Sequence, residues 1–167
     1  IITSLKRAKN LFPKVNFNII VVDHNSGKLN QDKIKNQLIK STVKHSLISL
    51  DLNEFKHKIK PINEKNEAVT KNQISNMSNI YKSLLISKDQ CEDLIYFVED
   101  DYIHNNNTIE EMILAYERIS SQTKKELILC PADYPYLYTH IDQSNIFLGS
   151  TVHWRTVNAT LCTFLTS

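Results

Sequence analysis

The sequence predicts an α/β fold: a mainly parallel sheet flanked by helices, followed by a β-rich C-terminal part. Three observations lead there. Short β-branched runs alternate with longer segments of helical period, and such alternation implies right-handed crossovers between parallel strands. The last twenty or so residues are rich in Thr, aromatic and β-branched side chains, which favours strands. Acidic residues gather where the runs end: Asp23 after the first, Glu99, Asp100 and Asp101 after the third, and Asp133 just beyond the fourth. An open α/β sheet puts its ligand site at the carboxyl ends of its strands.

Residues 2–12 place Ile2, Leu5, Ala8 and Leu11 at helical spacing, and Pro13 closes that helix. "FNIIVV" at 17–22 is too short for a helix and reads as a strand, broken by the turn formers of "DHNSG". Helical period returns over 30–40 through Ile34, Leu38 and Ile39, and "HSLISLDL" at 45–52 reads as a second strand. The polar stretch 53–70 carries Pro61 and no clear period, so a loop is expected. Residues 72–88 put Ile74, Met77, Tyr81, Leu84 and Leu85 on one helical face, a stripe that reads as core. A strand follows in "DLIYFVEDDYIH", residues 93–104. "TIEE", Thr108 to Glu111, looks like a capping box opening a helix through Met112, Ile113 and Tyr116. "ELILCPADYP" at 126–135 reads as another strand, ending in a loop bracketed by prolines.

Composition narrows the class. The chain has 167 residues, 41% hydrophobic and 23% charged, with a formal charge of +2. That is an ordinary balance for one globular domain, 1–167, and argues against a nucleic-acid partner. No apolar stretch approaches the length of a transmembrane helix. Cys91, Cys130 and Cys162 have no metal-ligand spacing and read as reduced thiols of a cytoplasmic protein.

Three consecutive acids after four apolar residues, Ile95 to Val98, need a reason, because like charges repel. Carboxylates at a strand end can share a hard divalent cation, Mn²⁺ or Mg²⁺, which prefers oxygen ligands and keeps positions open for phosphate. One of them can instead accept hydrogen bonds from a ribose or sugar hydroxyl. The plainer alternative is that they solvate the strand end or cap the next helix.

"IIVVDHNS", followed about 70 residues later by "LIYFVEDDYIH", resembles the GT-A glycosyltransferases, especially the family-2 type. The first block looks like the "VVDDGS" element of that family and the second like its "DxD" element. "STVHWRTVNATLCTF" looks like a block of a bacterial subset, in which a His-Trp-Arg-Thr run precedes a Thr-rich strand. The likeness spans roughly 15–167. It implies a GT-A-like (Rossmann-like) sheet, with a nucleotide-binding half at about 1–103 and an acceptor-side half at about 104–167.

The resemblance also implies chemistry: metal-dependent transfer of a sugar from a nucleotide-diphosphate sugar to a glycan or other hydroxyl acceptor, with inversion. Asp23 would lie beside the nucleotide base, and Asp100 would contact the ribose or sugar-phosphate. Asp101 would ligate the metal, with Glu99 a weaker ligand. A fixed cation stabilises the charge that grows on the leaving nucleoside diphosphate. In the "HWR" run, His153 would be a further metal or phosphate contact, and Arg155 would bind diphosphate oxygens. Trp154 would stack on a sugar face. The bland alternative makes Trp154 core and Arg155 a surface cation. Tyr134, Tyr136 and Tyr138 suit an acceptor pocket or one face of a strand. His45, His57, His104 and His140 read as structural or solvated. The implied setting is cytoplasmic, at the inner face of the membrane, in cell-envelope polysaccharide assembly.

The chain departs from the family in three ways. His24 replaces the second acid of the first block, and the helix before the acidic turn offers Asn76, Ser78 and Asn79 where many relatives carry Arg. The family's first strand, with its Pro-x-Tyr-Asn-like turn, is missing. It normally lies between the strands at 17–22 and 94–98, and its loss would leave backbone groups unpaired. A fragment cut at both ends is therefore expected. The general base stays unassigned: Asp133 and Asp142 are the late acids, and neither sits in a matching motif.

Other classes fit less well. An aspartyl-phosphate hydrolase needs Asp where Glu99 stands. A nucleotidyltransferase wants a Gly-rich phosphate loop, and the chain has only Gly27 and Gly149. A non-catalytic carbohydrate- or nucleotide-binding module, or an inactive remnant of the fold, remains open.

Overall fold

A computed structural model describes residues 1–63, 65–132, 134–139, 143–158 and 163–167. The elements run α1 (Ile2–Leu11), β1 (Asn18–Asp23), α2 (Lys28–Ser41), β2 (Lys44–Ser49), α3 (Lys71–Gln90), β3 (Ile95–Phe97), α4 (Thr108–Thr123), β4 (Ile146–Leu148), β5 (His153–Arg155) and β6 (Phe164–Thr166). The protein is mixed α/β, and it divides into two units: residues 16–91, and residues 1–15 together with 92–167. None of the described helices is long and apolar enough to cross a membrane.

In the unit 16–91, β1 and β2 pair in parallel over their whole length, from Asn18 opposite Lys44 to Asp23 opposite Ser49. α2 makes the crossover that a parallel pair requires. It ends at Thr42, whose left-handed backbone (φ 58°) turns the chain into β2. Leu38, Val43, Leu50 and Phe55 are buried in this unit. The stretch 53–70 is largely loop, as its composition predicts, interrupted by short 3-10 turns at Leu52–Glu54 and Lys56–Lys58.

α3 starts at a capping box. The Thr70 hydroxyl accepts the Gln73 backbone N–H, and the Gln73 side chain accepts the Thr70 N–H at 2.8 Å. Thr70→Ala removes one half of that exchange on an exposed helix end. It is expected to cost about 1 kcal/mol, read from the urea midpoint by far-UV circular dichroism. The apolar stripe expected to be core is not buried: Met77, Tyr81, Leu84 and Leu85 are 47%, 38%, 47% and 40% exposed. α3 instead turns Ser75 and Asn79, four positions apart on one face, toward the end of β1. Asn79 donates to the Val22 carbonyl at 3.0 Å, and Ser78 is fully buried. Polar contacts to the strand's end decide the helix's rotation.

In the other unit, α1 packs along α4. Leu5 and Ala8 on the first helix and Ile109, Met112, Ala115, Tyr116 and Ile119 on the second are buried. Ser4, itself buried, accepts the Ile109 backbone N–H at 2.9 Å, and Arg7 pairs with Glu110. A neighbouring helix thus caps α4, and the expected capping box at Thr108–Glu111 does not form. The N-cap is Asn107, and Glu111 points elsewhere.

β3 pairs antiparallel with β6, and β4 with β5, so the described residues hold three two-stranded sheets, of which one is parallel. The strand expected over 126–135 reduces to a bridge in which Leu129 and Leu165 exchange both backbone hydrogen bonds at 2.8 Å. Pro131 lacks the N–H that would extend the ladder. The β-rich tail appears as β4, β5 and β6.

Candidate functional site

In the unit 16–91, Asp23 ends β1 and is buried, and its Oδ2 accepts from Gln31 Nε2 at 2.9 Å. Gln31 stands on α2, so the helix following the strand fixes the carboxylate. His24, in place of a second acid, lies 2.7 Å from Ser75 Oγ through its Nδ1. Together with the Asn79–Val22 bond, this contact ties the carboxyl end of β1 to α3 at two points. Asn79, on the helix before the acidic turn, therefore contacts backbone.

In the other unit, Glu99, Asp100 and Asp101 form a turn directly after β3, and all three are exposed. The backbone N–H of Glu99 approaches Thr163 Oγ1 at 3.5 Å. Neither ion pair of the described residues, Arg7–Glu110 or Lys82–Glu54, involves these acids. Adjacent exposed carboxylates without a cationic partner fit a hard cation that takes its remaining ligands from water and phosphate. Among the described residues, no three His, Cys, Asp or Glu side chains converge closely enough to cage a metal. Glu99, Asp101 and His153 are therefore not brought together as a ligand set. His153 opens β5 and is exposed, paired in register with Leu148. Arg155, two residues on, lies over the Tyr138 ring at 4.3 Å. Pro135–Tyr138 is a 3-10 turn, so Tyr134 and Tyr138 do not share a strand face. Asp133, His140, Asp142 and Cys162 lie outside the described residues.

Around the acidic turn stand aromatic groups. The Tyr96 hydroxyl, on β3, lies 2.9 Å from His104 Nε2. His104 Nδ1 lies 3.2 Å from the Tyr102 carbonyl, and the Tyr102 and Tyr134 hydroxyls touch. Burial, then the charges of Cys130 and Tyr102, pushes the Tyr96 phenol upward and keeps it protonated. Burial also lowers the His104 pKa, aided by the N-terminal ammonium and opposed by the Tyr102 carbonyl, which favours a neutral ring at pH 7.

Glu111 carries a role that the sequence reading missed. It is buried on α4 and accepts four hydrogen bonds, three from the β4–β5 connection, Ser150 N–H (2.8 Å), Thr151 N–H (2.7 Å) and Thr151 Oγ1–H (2.7 Å), and one from β5, Trp154 Nε1–H (3.2 Å). Burial, the largest influence, pushes this carboxyl up. The hydrogen bonds from Thr151, Trp154 and Ser150 together outweigh it and leave the pKa below its ordinary value. Arg118, two turns further along α4, donates to the Gly149 carbonyl at 2.8 Å. The "HWR" strand is thus held by a carboxylate in the protein interior, with its Trp as one of the donors. An acid within the buried face of α4, beside Met112 and four residues before Ala115, was the available signal.

No family model, curated protein or solved structure matches the chain.

Proposed function

We propose that this chain is the nucleotide-sugar-binding part of a GT-A-like, family-2-like glycosyltransferase. Such an enzyme moves a sugar from a nucleoside diphosphate to a hydroxyl acceptor with inversion. The observation that supports this reading best is the exposed turn Glu99–Asp101, an unpaired acidic run at the end of an apolar strand. A second support is Asp23, which ends a strand of a parallel β-α-β unit, where open α/β folds bind ligands. On this reading Asp101 and Glu99 hold Mn²⁺ or Mg²⁺, Asp100 contacts the ribose or sugar-phosphate, His153 is a further metal or phosphate contact, and Arg155 takes phosphate oxygens; within its own unit Asp23 is the candidate for the nucleotide base. The bound cation would neutralise the charge of the leaving diphosphate. The competing reading is a carbohydrate- or nucleotide-binding module of the same fold without turnover.

Calorimetric titration of UDP and GDP, with and without Mn²⁺, tests the reading on the chain and on Asp101→Ala. The expected result is metal-dependent binding of one nucleotide, weakened at least tenfold by the substitution, about the loss of one charged ligand. Binding that ignores both the metal and the substitution would refute the assignment of these acids. Transfer of labelled sugar to an acceptor then separates the enzyme from the binding module.

A further inference from the structure

The acidic turn has little packing to hold its shape. Glu99, Asp100 and Asp101 are exposed, and Ile103 is 100% exposed. Mutual repulsion of the acids favours opening. What closes the segment is a pair of side chains eight positions apart, one on each side of it: Tyr96 and His104. A carbonyl oxygen only accepts, so the 3.2 Å contact from His104 Nδ1 to the Tyr102 carbonyl puts the imidazole proton on Nδ1. Nε2 is then the acceptor, and the Tyr96 hydroxyl donates to it at 2.9 Å. The rings also meet edge to face, with centroids 5.8 Å apart at 76°. The contact between the Tyr102 and Tyr134 hydroxyls anchors the same segment a second time.

We propose that Tyr96 and His104 form a latch that holds the acidic turn in shape, which makes them positioning residues for the cation ligands. The inference rests on the reading of Asp100 and Asp101 given above. Its physical content is pre-organisation. Closing a short, charged loop costs conformational entropy, and a latch formed beforehand removes that cost from ligand binding.

Two measurements on the metal-free chain and its Mn²⁺ titration test it. Nitrogen-15 NMR of the imidazoles should show His104 with its proton on Nδ1, a tautomer dictated by the hydrogen bonds. In Tyr96→Phe, which keeps the ring and removes only the hydroxyl, the Nε2 resonance should move. Mn²⁺ binding, followed by electron paramagnetic resonance, should weaken about fivefold in Tyr96→Phe, the scale of one ordinary hydrogen bond. His104→Gln, which can accept and donate in the same places, should retain more affinity than His104→Ala. An Nε2–H tautomer in the unaltered chain, or Mn²⁺ binding left unchanged by Tyr96→Phe, would overturn the latch and leave the acids' assignment standing. If the unaltered chain binds no Mn²⁺, that assignment falls, and the positioning role with it.

Discussion

Replacing Glu111 with Ala is expected to destabilise the unit formed by residues 1–15 and 92–167 by about 3 kcal/mol. The loss is large because the carboxylate is buried and every donor aimed at it would be stranded. Two backbone N–H groups, the Thr151 hydroxyl and the Trp154 indole N–H all lose their acceptor at once. Side-chain atoms removed from a packed helix face add a cavity cost. Trp154 is the only tryptophan of the chain, so its fluorescence reports directly on the contact during urea unfolding. A midpoint within error of the unaltered chain's would show that Glu111 does not hold the β4–β5 connection.

The same carboxylate gives the unit a predictable acid response. Its folded pKa lies below the ordinary 4.5, so between those two values the unfolded chain takes up the proton first. The stabilisation is fully present above the unfolded pKa and is lost as pH falls through the folded one. Stability should therefore decline with a Glu111-dependent slope below about pH 4.5. Glu111→Gln should flatten that slope while lowering stability at pH 7, since an amide presents an NH₂ group to one of the donors. Urea midpoints of both proteins between pH 3 and pH 7 give the comparison. Parallel curves would mean that the charge of Glu111 plays no part.

What was legible in the sequence divides along a physical line. α1, α2 and β1 were read to within a few residues, because their signals are local: apolar period, β-branched runs, Pro13 and the turn formers after Asp23. The acidic turn after β3 was visible for the same reason. Three features went wrong where a distant partner decides. The face that α3 presents to β1 is set by Asn79 and Ser75 reaching the end of the strand, which outweighs the stripe of Met77, Tyr81 and Leu84. "TIEE" has the letters of a capping box, but Asn107 is the N-cap and the Glu111 side chain is drawn instead to Ser150 and Thr151. The strand expected over 126–135 fails because a run of apolar residues does not show where its pairing partner ends.

The site follows the same division. Asp23 and the acids at 99–101 can be found by eye as charge placed after apolar runs. Glu111 cannot, since its partners lie 39 to 43 positions away. Tyr96 and His104 become neighbours only once the chain reverses through the turn between them. Charges that end apolar runs are legible in the sequence; side chains whose partners lie far along the chain are not.

Gly149→Ala should destabilise the same unit by about 2–4 kcal/mol, close to the effect of removing Glu111. The reason is close approach, since no glycine of the described chain has positive φ. A Cβ at position 149 would collide with the Glu111 carboxylate, and would lie 2.6 Å from the Val152 carbonyl oxygen and 2.7 Å from Trp154 Nε1. None of these atoms yields easily. The carboxylate is held by four hydrogen bonds. The Val152 carbonyl accepts the Gly149 N–H at 2.9 Å, closing the hairpin. The methyl group would displace the carboxylate from its donors, so the two substitutions act on one set of bonds. Glu111→Ala and Gly149→Ala combined should cost less than the sum of their separate effects, by 1 kcal/mol or more on the scale of about 0.5–3 kcal/mol typical of contacting residues. A double-mutant cycle of urea midpoints, read from Trp154, measures that coupling. Strict additivity would mean that Gly149 and Glu111 act independently, and that the hairpin carrying His153 and Arg155 is held by something other than the carboxylate beneath it.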